Sequence, residues 1–151
     1  MSSLPFIDEH AVEVNAPASA AWRALAETTE ASFGGGPLKE IGAKILGCRE
    51  TSTAGRADVA GSTVPGFRVE RVDAPTEMLL GGRHRFARYA LRFRVDPESR
   101  GSSKVLAETR ADFPGVHGRA YRALVLGTRA HRVIVRRILG SVKARAERIT
   151  A

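Results

Sequence analysis

Segments of strand length, in which apolar and polar residues alternate, follow one another between residues 67 and 113. The alternation predicts four strands joined by short turns, over Phe67–Asp73, Glu77–Phe86, Tyr89–Val95 and Lys104–Phe113. Successive side chains of a strand point to opposite faces, so each of the last two strands has one apolar face and one charged face. Because connections this short join antiparallel neighbours, the chain is predicted to form an antiparallel sheet that hides one face from water.

The charged faces of the last two predicted strands are complementary. Arg92 and Arg94 lie on one strand, and Glu108 and Asp112 lie on the other. Cross-strand pairs of this kind stabilise a sheet by a few tenths of a kcal/mol up to about 1 kcal/mol each. Part of the basic excess of the chain is therefore expected to lie on ordinary sheet surface.

A long amphipathic helix is predicted over Gly118–Ile149, where apolar residues recur every three or four positions. The residues on this stripe are Ala120, Leu124, Gly127, His131, Ile134, Ile138, Val142 and Ile149. The basic residues on the opposite side are Arg122, Arg129, Arg132, Arg136, Lys143 and Arg148. Gly127 and Gly140 each lower helix propensity by up to about 1 kcal/mol relative to alanine, so the helix can bend or be interrupted. The stripe needs a broad apolar surface to pack on, and the predicted sheet provides it.

A strand is predicted to lead directly into a helix near the N-terminus. The residues of Ala11–Val14 alternate in steps of two, and Asn15-Ala16-Pro17 ends this strand. Ala18–Thr28 is rich in helix formers, and a proline just before it is typical of a helix start.

A second short helix is predicted to follow and to end near Gly47. Its apolar positions are Leu38, Ile41, Ile45 and Leu46. Gly34, Gly35 and Gly36 precede it without the GK[ST] continuation of a phosphate loop, so we interpret them as a hinge between helices. Thr51–Ser62 is rich in small residues and predicts a flexible loop or a weak edge strand.

The composition fits one globular domain over residues 1–151, with 43% hydrophobic and 26% charged residues. A chain near this length buries about 68–70% of its unfolded surface, which allows a sizeable core. No apolar run approaches the roughly 20 residues that span a bilayer. The single Cys48 cannot form an internal disulfide, and the first residues lack a basic segment followed by an apolar one, so a cytoplasmic location is expected.

The net charge of +8 suggests a nucleic acid or an anionic membrane as a partner. Lysine and arginine neutralise phosphates and release counterions, which supplies affinity without sequence specificity. The arginines are spread along the chain, however, so a solvated basic surface is the preferred interpretation. A module that binds anionic lipid or nucleic acid through the arginine face of the last helix remains an alternative.

The stretch from Val12 to Trp22 is the most specific part of the sequence: Val12-Glu13-Val14-Asn15-Ala16-Pro17-Ala18-Ser19-Ala20-Ala21-Trp22. With the order of the predicted elements, it resembles the SRPBCC superfamily, also called START-like or helix-grip proteins. Members include polyketide cyclases and lipid-transfer domains. The resemblance covers essentially the whole chain, with one departure: the usual second strand is hard to find before Pro65.

The resemblance implies an α+β fold in which a curved antiparallel sheet wraps around the long C-terminal helix, with two short helices after the first strand. It also implies a cavity between sheet and helix that holds a small hydrophobic or amphipathic molecule, the protein acting as a carrier or a sensor. The residues expected to line this cavity are Trp22, Phe67, His84, Tyr89, Phe93, Phe113, Tyr121, Leu124 and His131.

His131 is the most informative candidate because it interrupts the apolar stripe of the last helix. A buried imidazole needs partners for its nitrogens, and it can exchange protons near neutral pH. A cyclase- or dehydratase-like enzyme that uses His131, His84 or Tyr89 is therefore the main alternative to a carrier. The sequence supplies no convincing base for it, since the acidic residues of the strands fit outer-face positions equally well.

Other chemistries find little support in the sequence. The four histidines have no recognised zinc spacing, and no GxSxG nucleophile motif is present. The predicted sheet lacks the basic and aromatic alternation of an RNA-binding surface. We therefore expect no cofactor, no metal site, no specific nucleic-acid partner and no integral membrane association, and a homodimer stays open.

Overall fold

A computed structural model describes residues 4–33, 39, 44, 47–50 and 53–150. The described strands are β1 (Phe6–Val14), β2 (Thr63–Val64), β3 (Phe67–Asp73), β4 (Glu77–Arg83), β5 (Arg88–Pro97) and β6 (Ser103–Asp112). The described helices are α1 (Ala18–Phe33), α2 (Gly115–Arg122) and α3 (Ala130–Ile149), and a π-helical turn (Ala123–Gly127) follows α2. The fold class is α+β, as predicted.

In the described part of the chain, six strands form one antiparallel sheet in the order β1-β6-β5-β4-β3-β2. The strands β3 to β6 form the predicted meander, and β1 lies at the far edge beside β6. Met78 faces Phe93, and Phe93 faces Ala107, across neighbouring strands of the inner face. The helices α1 and α3 contact each other, and α3 also contacts β1 and β6. The long C-terminal helix thus packs on the apolar face of the sheet.

The core lies between this inner face and the two packed helices. The largest fully buried apolar side chains are Phe93, Leu25, Met78, Leu80, Val14, Val69, Val95, Val105 and Val142. They come from α1, α3 and five strands, so elements from both ends of the chain share one apolar cluster.

The predicted meander is confirmed, with changes at the strand ends. β3 has the predicted bounds, whereas β4 ends at Arg83 and not at Phe86. The backbone N–H of His84 donates to the carbonyl oxygen of Ala87 at 2.9 Å and closes a turn there. The strand ends early because the backbone groups of this turn bond to each other.

A second strand does precede Pro65, but it is short. β2 has two residues and pairs with β3, and an isolated bridge joins Ala54 to Thr63 on its other side. A strand of this length gives no usable alternation, which explains why the sequence pattern did not reveal it.

β1 is longer than predicted and begins at Phe6 instead of Ala11. Asp8 and His10 lie on the same side of the strand as the inward-facing Val12. These polar residues occupy inner-face positions, and a register shift between Phe6 and Asp8 interrupts the strand further. Both features hide the strand from an analysis based on apolar alternation.

The prediction of one continuous helix over Gly118–Ile149 is wrong. The π-helical turn ends at Gly127, and Arg129, just before α3, has a left-handed backbone with φ of 64°. The Thr128 hydroxyl donates to the carbonyl oxygen of Leu124 at the end of this turn. The interruption falls near Gly127, one of the two glycines with low helix propensity.

The predicted second short helix and its glycine hinge, residues 34–46, lie outside the described residues apart from Lys39 and Lys44. The described helices therefore match the expected order only in part. None of the helices in the described ranges is long and apolar enough to cross a membrane.

Ion pairs cross the outer face of the sheet from β3 to β6. Arg71 pairs with Glu77, which also accepts a hydrogen bond from Arg92 at 2.7 Å. Arg92 lies 3.6 Å from Glu108, as predicted, and Arg110 lies 2.5 Å from the same carboxylate. The hydrogen bond from Arg92 is the largest cause of the lowered pKa of Glu77. Positive and negative charges thus compensate each other along this face.

Two further arginines of the meander also have partners. Arg94 lies 3.2 Å from Asp96 on its own strand, and Arg88 lies 2.9 Å from Asp112 across β5 and β6. The charged face of the meander is therefore paired nearly throughout, although Arg94 does not cross to β6.

Two neighbouring threonines of α1 are both buried, but their hydroxyl groups differ in hydrogen bonding. The Thr29 hydroxyl donates to the carbonyl oxygen of Leu25 at 2.8 Å. The Thr28 hydroxyl has no hydrogen-bond partner in the described part of the chain. A buried polar group left unpaired costs about 1–3 kcal/mol, so these two hydroxyls should contribute to stability with opposite signs.

We expect Thr28→Val to raise the free energy of unfolding by about 1 kcal/mol, because valine keeps the shape and removes the unpaired hydroxyl. Thr29→Val is the matched control, and it should lower the free energy of unfolding by a similar amount because a formed hydrogen bond is lost. Urea denaturation measures both changes. A destabilised Thr28→Val variant would contradict an unpaired hydroxyl at this position.

Candidate ligand-binding cavity

A cavity of about 460 Å³ lies between the inner face of the sheet and the C-terminal helices. Strand residues that line it are Ile7, Phe67, Tyr89, Ala90, Leu91, Thr109 and Ala111. Residues from α1, α2, α3 and the π-helical turn are Ser32, Phe33, Tyr121, Val125, Leu126, His131, Ile134, Val135 and Ile138. The other lining residues are Lys39, Cys48, Pro65, Gly66, His84, Ala87 and Phe113. Space remains here because small residues such as Thr109 and Ala111 occupy inner-face positions, whereas Met78 and Phe93 fill the adjoining half.

Aromatic rings form one wall of the cavity. The ring centroids of Phe33 and Phe67 are 4.8 Å apart, and those of Phe67 and Tyr89 are 5.1 Å apart. His84 continues the row, 5.5 Å from Tyr89 and 4.8 Å from Tyr121. Rings at these separations attract one another in edge-to-face arrangements. The wall therefore presents a preformed surface for a flat apolar group.

The position of the Tyr89 ring depends on a glycine. Gly82 faces Tyr89 across β4 and β5, and a Cβ on Gly82 would lie 2.6 Å from the Tyr89 ring and would overlap the Gly66 oxygen. The Tyr89 hydroxyl donates to the same Gly66 oxygen at 2.5 Å. Burial is the main cause that raises the pKa of Tyr89 far above its ordinary value. The hydroxyl therefore stays protonated at neutral pH and cannot serve as a base.

Cys48 lines the cavity beside Tyr89. Burial raises the pKa of the Cys48 thiol, and a hydrogen bond with Tyr89 opposes this effect only in part. The sulfur is therefore mainly a neutral thiol near pH 7. Since the sequence contains one cysteine, the reactivity of this thiol reports on the cavity alone.

His84 is fixed in one tautomer by a local contact. The backbone N–H of Phe86 donates to Nδ1 of His84 at 3.1 Å, so the hydrogen of the neutral ring is on Nε2. Burial lowers the pKa of His84 and favours this neutral form. The ring can therefore offer one N–H donor to a ligand.

His131 projects from α3 toward β1 and β6. Its Nε2 lies 3.1 Å from Thr109 Oγ1 and 3.3 Å from Asp8 Oδ1. The second oxygen of Asp8 lies 3.2 Å from Nε2 of His10. Because a carboxylate only accepts hydrogen bonds, the contact with Asp8 places the hydrogen of His131 on Nε2 and leaves Nδ1 with a lone pair. The carboxylate of Asp8 therefore orients the imidazole at the edge of the cavity.

Most of the residues expected from the sequence meet at the cavity. Those that line it are Phe67, His84, Tyr89, Phe113, Tyr121 and His131. They come from β3, β5, α2, α3 and two loops, so the fold brings together residues that are distant in sequence.

Trp22, Phe93 and Leu124 lie elsewhere. Trp22 is in the core near the start of α1, about 16 Å along the helix from the cavity-lining Phe33. Phe93 is fully buried in the filled half of the inner face. Leu124 is 64% exposed because it belongs to the π-helical turn, which has one residue more per turn than the α-helical stripe assumes.

Sequence analysis missed several lining residues. Phe33 continues the buried side of α1 from Leu25 and Thr29 in steps of four, a signal that could have been used. Ile7 lies in the part of β1 that polar residues hide, and Cys48 lies in a loop. No periodic signal marks these last two positions.

No family model matches the sequence, and no curated protein matches it. Solved structures do match over nearly the full chain. Norcoclaurine synthase from Thalictrum flavum is 13% identical with a TM-score of 0.57, covering 99% of this chain and 98% of that chain. An aromatase/cyclase from Streptomyces is 16% identical with a TM-score of 0.57, covering 95% and 94%. A START superfamily protein from Mycobacterium smegmatis is 15% identical with a TM-score of 0.53, covering 95% and 99%.

The chain has the helix-grip fold. Its structural neighbours are members of the SRPBCC superfamily, as the sequence resemblance predicted. The helix-grip fold hosts several activities, so these likenesses establish the architecture, and the function has to be argued from the cavity.

Within the described ranges, no group of three or more histidine, cysteine, aspartate or glutamate side chains is arranged to hold a metal ion. Asp8, His10 and His131 are close to one another, but both imidazoles contact the carboxylate through Nε2. Asp8, His10 and His131 therefore form a hydrogen-bonded network.

The stability of the protein should depend on His84 below its ordinary pKa of 6.5. In the unfolded chain His84 takes up a proton near this pH, whereas burial lowers the pKa of the folded ring, so stability is lost as the pH falls below 6.5. His84→Gln should make this loss smaller. Urea unfolding over a pH series measures the slope.

The exposed His117 provides the control for this prediction. His117→Gln, which removes an exposed imidazole, is measured over the same pH series as His84→Gln. Equal slopes for the wild-type protein and His84→Gln would rule out a buried neutral imidazole at residue 84.

Proposed function

We propose that the chain binds a small hydrophobic or amphipathic molecule in the cavity, as a carrier or a sensor. The observation that carries this proposal is a cavity of about 460 Å³ with a largely apolar and aromatic lining. Sites for small organic molecules are typically about 300–1,000 Å³ and combine an apolar lining with a few polar groups. The helix-grip fold supports this proposal, since a cavity between sheet and helix is where its ligands are expected.

The lining indicates the chemistry of the ligand. The row of rings from Phe33 to Tyr121 suits a flat aromatic group. Nε2 of His84 is available as a hydrogen-bond donor. No carboxylate lines the cavity in the described residues, whereas Lys39 does line it. A neutral or anionic molecule with an aromatic part therefore fits better than a cation.

The structural comparisons suggest the first probes. The norcoclaurine synthase from Thalictrum flavum has been crystallised with dopamine and hydroxybenzaldehyde, both of which are small aromatic molecules. Hydroxybenzaldehyde is the better match for the present cavity because it carries no positive charge. Native mass spectrometry of freshly purified protein would show whether a different molecule is already bound.

Filling the cavity should abolish ligand binding without unfolding the protein. Ala111→Leu places a larger side chain at a buried lining position, and we expect it to weaken binding of the anionic dye anilinonaphthalene sulfonate about tenfold or more. Ala144→Leu, on the exposed side of α3, is the matched control and should bind the dye like the wild-type protein. Fluorescence titration gives the dissociation constants, and thermal unfolding checks stability.

Cys48 supplies a second readout for the same experiment. A bound ligand should slow alkylation of Cys48 by iodoacetamide in the wild-type protein, because the thiol lines the cavity. Unchanged alkylation at a saturating dye concentration, or equal dye binding by Ala111→Leu, would place the bound dye outside the cavity and contradict the proposal.

A second candidate function is proton transfer to or from a bound carbonyl compound. The network of Asp8, His131 and Thr109 favours it, because a carboxylate that holds Nε2–H leaves Nδ1 of His131 as the basic nitrogen. Tyr89 is excluded as the base by its raised pKa, and Asp8 would act as a positioning residue. His84 would supply the donor to the carbonyl oxygen through Nε2.

This candidate predicts exchange of acidic C–H protons in a bound ketone. The wild-type protein should accelerate deuterium exchange of benzoylacetone in D2O, and His131→Asn should lower the acceleration by about 100-fold, the lower end of general-base contributions. His117→Asn, which changes an exposed histidine, should have no effect. No acceleration by the wild-type protein, or an unchanged rate in His131→Asn, would leave ligand binding as the only supported function.

A further inference from the structure

The net charge of the chain is concentrated in one part of it. Residues 113–146 contain eight of the 24 basic residues and none of the 16 acidic ones. The other residues balance, so the entire net charge of +8 comes from this stretch. It includes α2, the π-helical turn and most of α3, the elements that cover the cavity.

We define residues 115–134 as the mouth segment. This segment lines the cavity with Tyr121, Val125, Leu126, His131 and Ile134. It runs from α2 through the π-helical turn and Arg129 into the first residues of α3. The basic stretch and the cavity therefore share the same piece of chain.

The arginines of the mouth segment differ from those of the sheet. Arginines of the sheet, such as Arg92 and Arg110, pair with carboxylates on neighbouring positions. Within the described residues, the one ion pair of the mouth segment joins His131 to Asp8, and no carboxylate pairs with its arginines. These arginines are Arg119, Arg122, Arg129 and Arg132, and all of them are exposed. Arg122 lies over the Phe113 ring, 5.6 Å from its centroid. No carboxylate of the described residues neutralises any of the four charges, so they can still attract an anionic partner.

Exposed apolar side chains are concentrated in the same segment. Of the seven large apolar side chains that are exposed in the described ranges, four belong to the mouth segment. They are Val116 at 71%, Leu124 at 64%, Ile134 at 56% and Val133 at 49% exposed. Ile134 also lines the cavity, so the exposed apolar surface is continuous with the cavity lining.

We propose that the mouth segment docks on the surface of a bilayer that contains anionic lipids. Arginines without a carboxylate partner in the described residues, next to exposed aliphatic side chains, match a membrane interface, where phosphates lie beside the acyl chains. Nucleic acid would satisfy the arginines but offers no apolar layer for Leu124 and Val116. Docking in this way places the apolar edge of the cavity against the bilayer. The inference does not depend on which molecule the cavity binds.

Vesicle binding tests this proposal directly. The protein should sediment with vesicles of phosphatidylcholine and phosphatidylglycerol but not with vesicles of phosphatidylcholine alone. Binding should weaken between about 50 and 200 mM salt, because the interaction includes screened charges. Binding to the neutral vesicles with the same affinity, or no binding to the anionic ones, would overturn the proposal.

Surface variants separate the electrostatic and the apolar parts of docking. Arg119→Gln and Arg132→Gln should each lower the partition coefficient about fivefold. Leu124→Ser should lower it about threefold or more, because an exposed apolar side chain no longer enters the interface. None of these side chains lines the cavity, so dye binding should be unchanged in all three variants.

Matched variants outside the mouth segment provide the controls. Arg100→Gln removes an exposed arginine from the loop between β5 and β6, and Val59→Ser removes a valine that is 52% exposed. Both should bind anionic vesicles like the wild-type protein. If the arginine variants lose binding while Leu124→Ser does not, and duplex DNA competes with the vesicles, the segment binds nucleic acid and the proposal is wrong.

Discussion

The inner face of the meander from β3 to β6 is mainly apolar, and helices have to keep it from water. α1 and α3 pack closely over the half that contains Met78 and Phe93, where the side chains fill the space between the layers. Over the other half the strands present small side chains such as Thr109 and Ala111, and the cover is continued by α2 and the π-helical turn. The cavity is the volume that remains where large inner-face residues are replaced by small ones.

The same constraint explains which parts of the fold the sequence predicts well. Strands with one buried face must alternate, so the meander from β3 to β6 is visible in the pattern of apolar residues. β1 escapes this rule because Asp8 and His10 take inner-face positions, where the hydrogen bonds of Asp8 with His10 and His131 compensate for their polarity. The break in the C-terminal helix cannot be predicted from the sequence for another reason. The left-handed conformation of Arg129 depends on how the flanking segments pack.

The candidate site is likewise predictable from the sequence only in part. The interruption of an apolar stripe by His131 is readable in the sequence, but its partner Asp8 is 123 positions away and depends on the register of β1 with β6. Trp22 and Phe93 are aromatic and buried, which is all that the sequence can say of them. Only the packing decides whether a buried ring lies in the filled half of the face or against the cavity, as Phe67 does.

The compensated charges of the outer sheet face have a consequence for the molecule as a whole. Because Glu77 and Glu108 neutralise the arginines beside them, the sheet contributes little net charge, while residues 113–146 contribute all of it. Positive charge is therefore separated from the centre of mass, and the protein carries an electric dipole. In the field of a negatively charged surface such a dipole experiences a torque, which turns the cavity toward the surface before any contact is made.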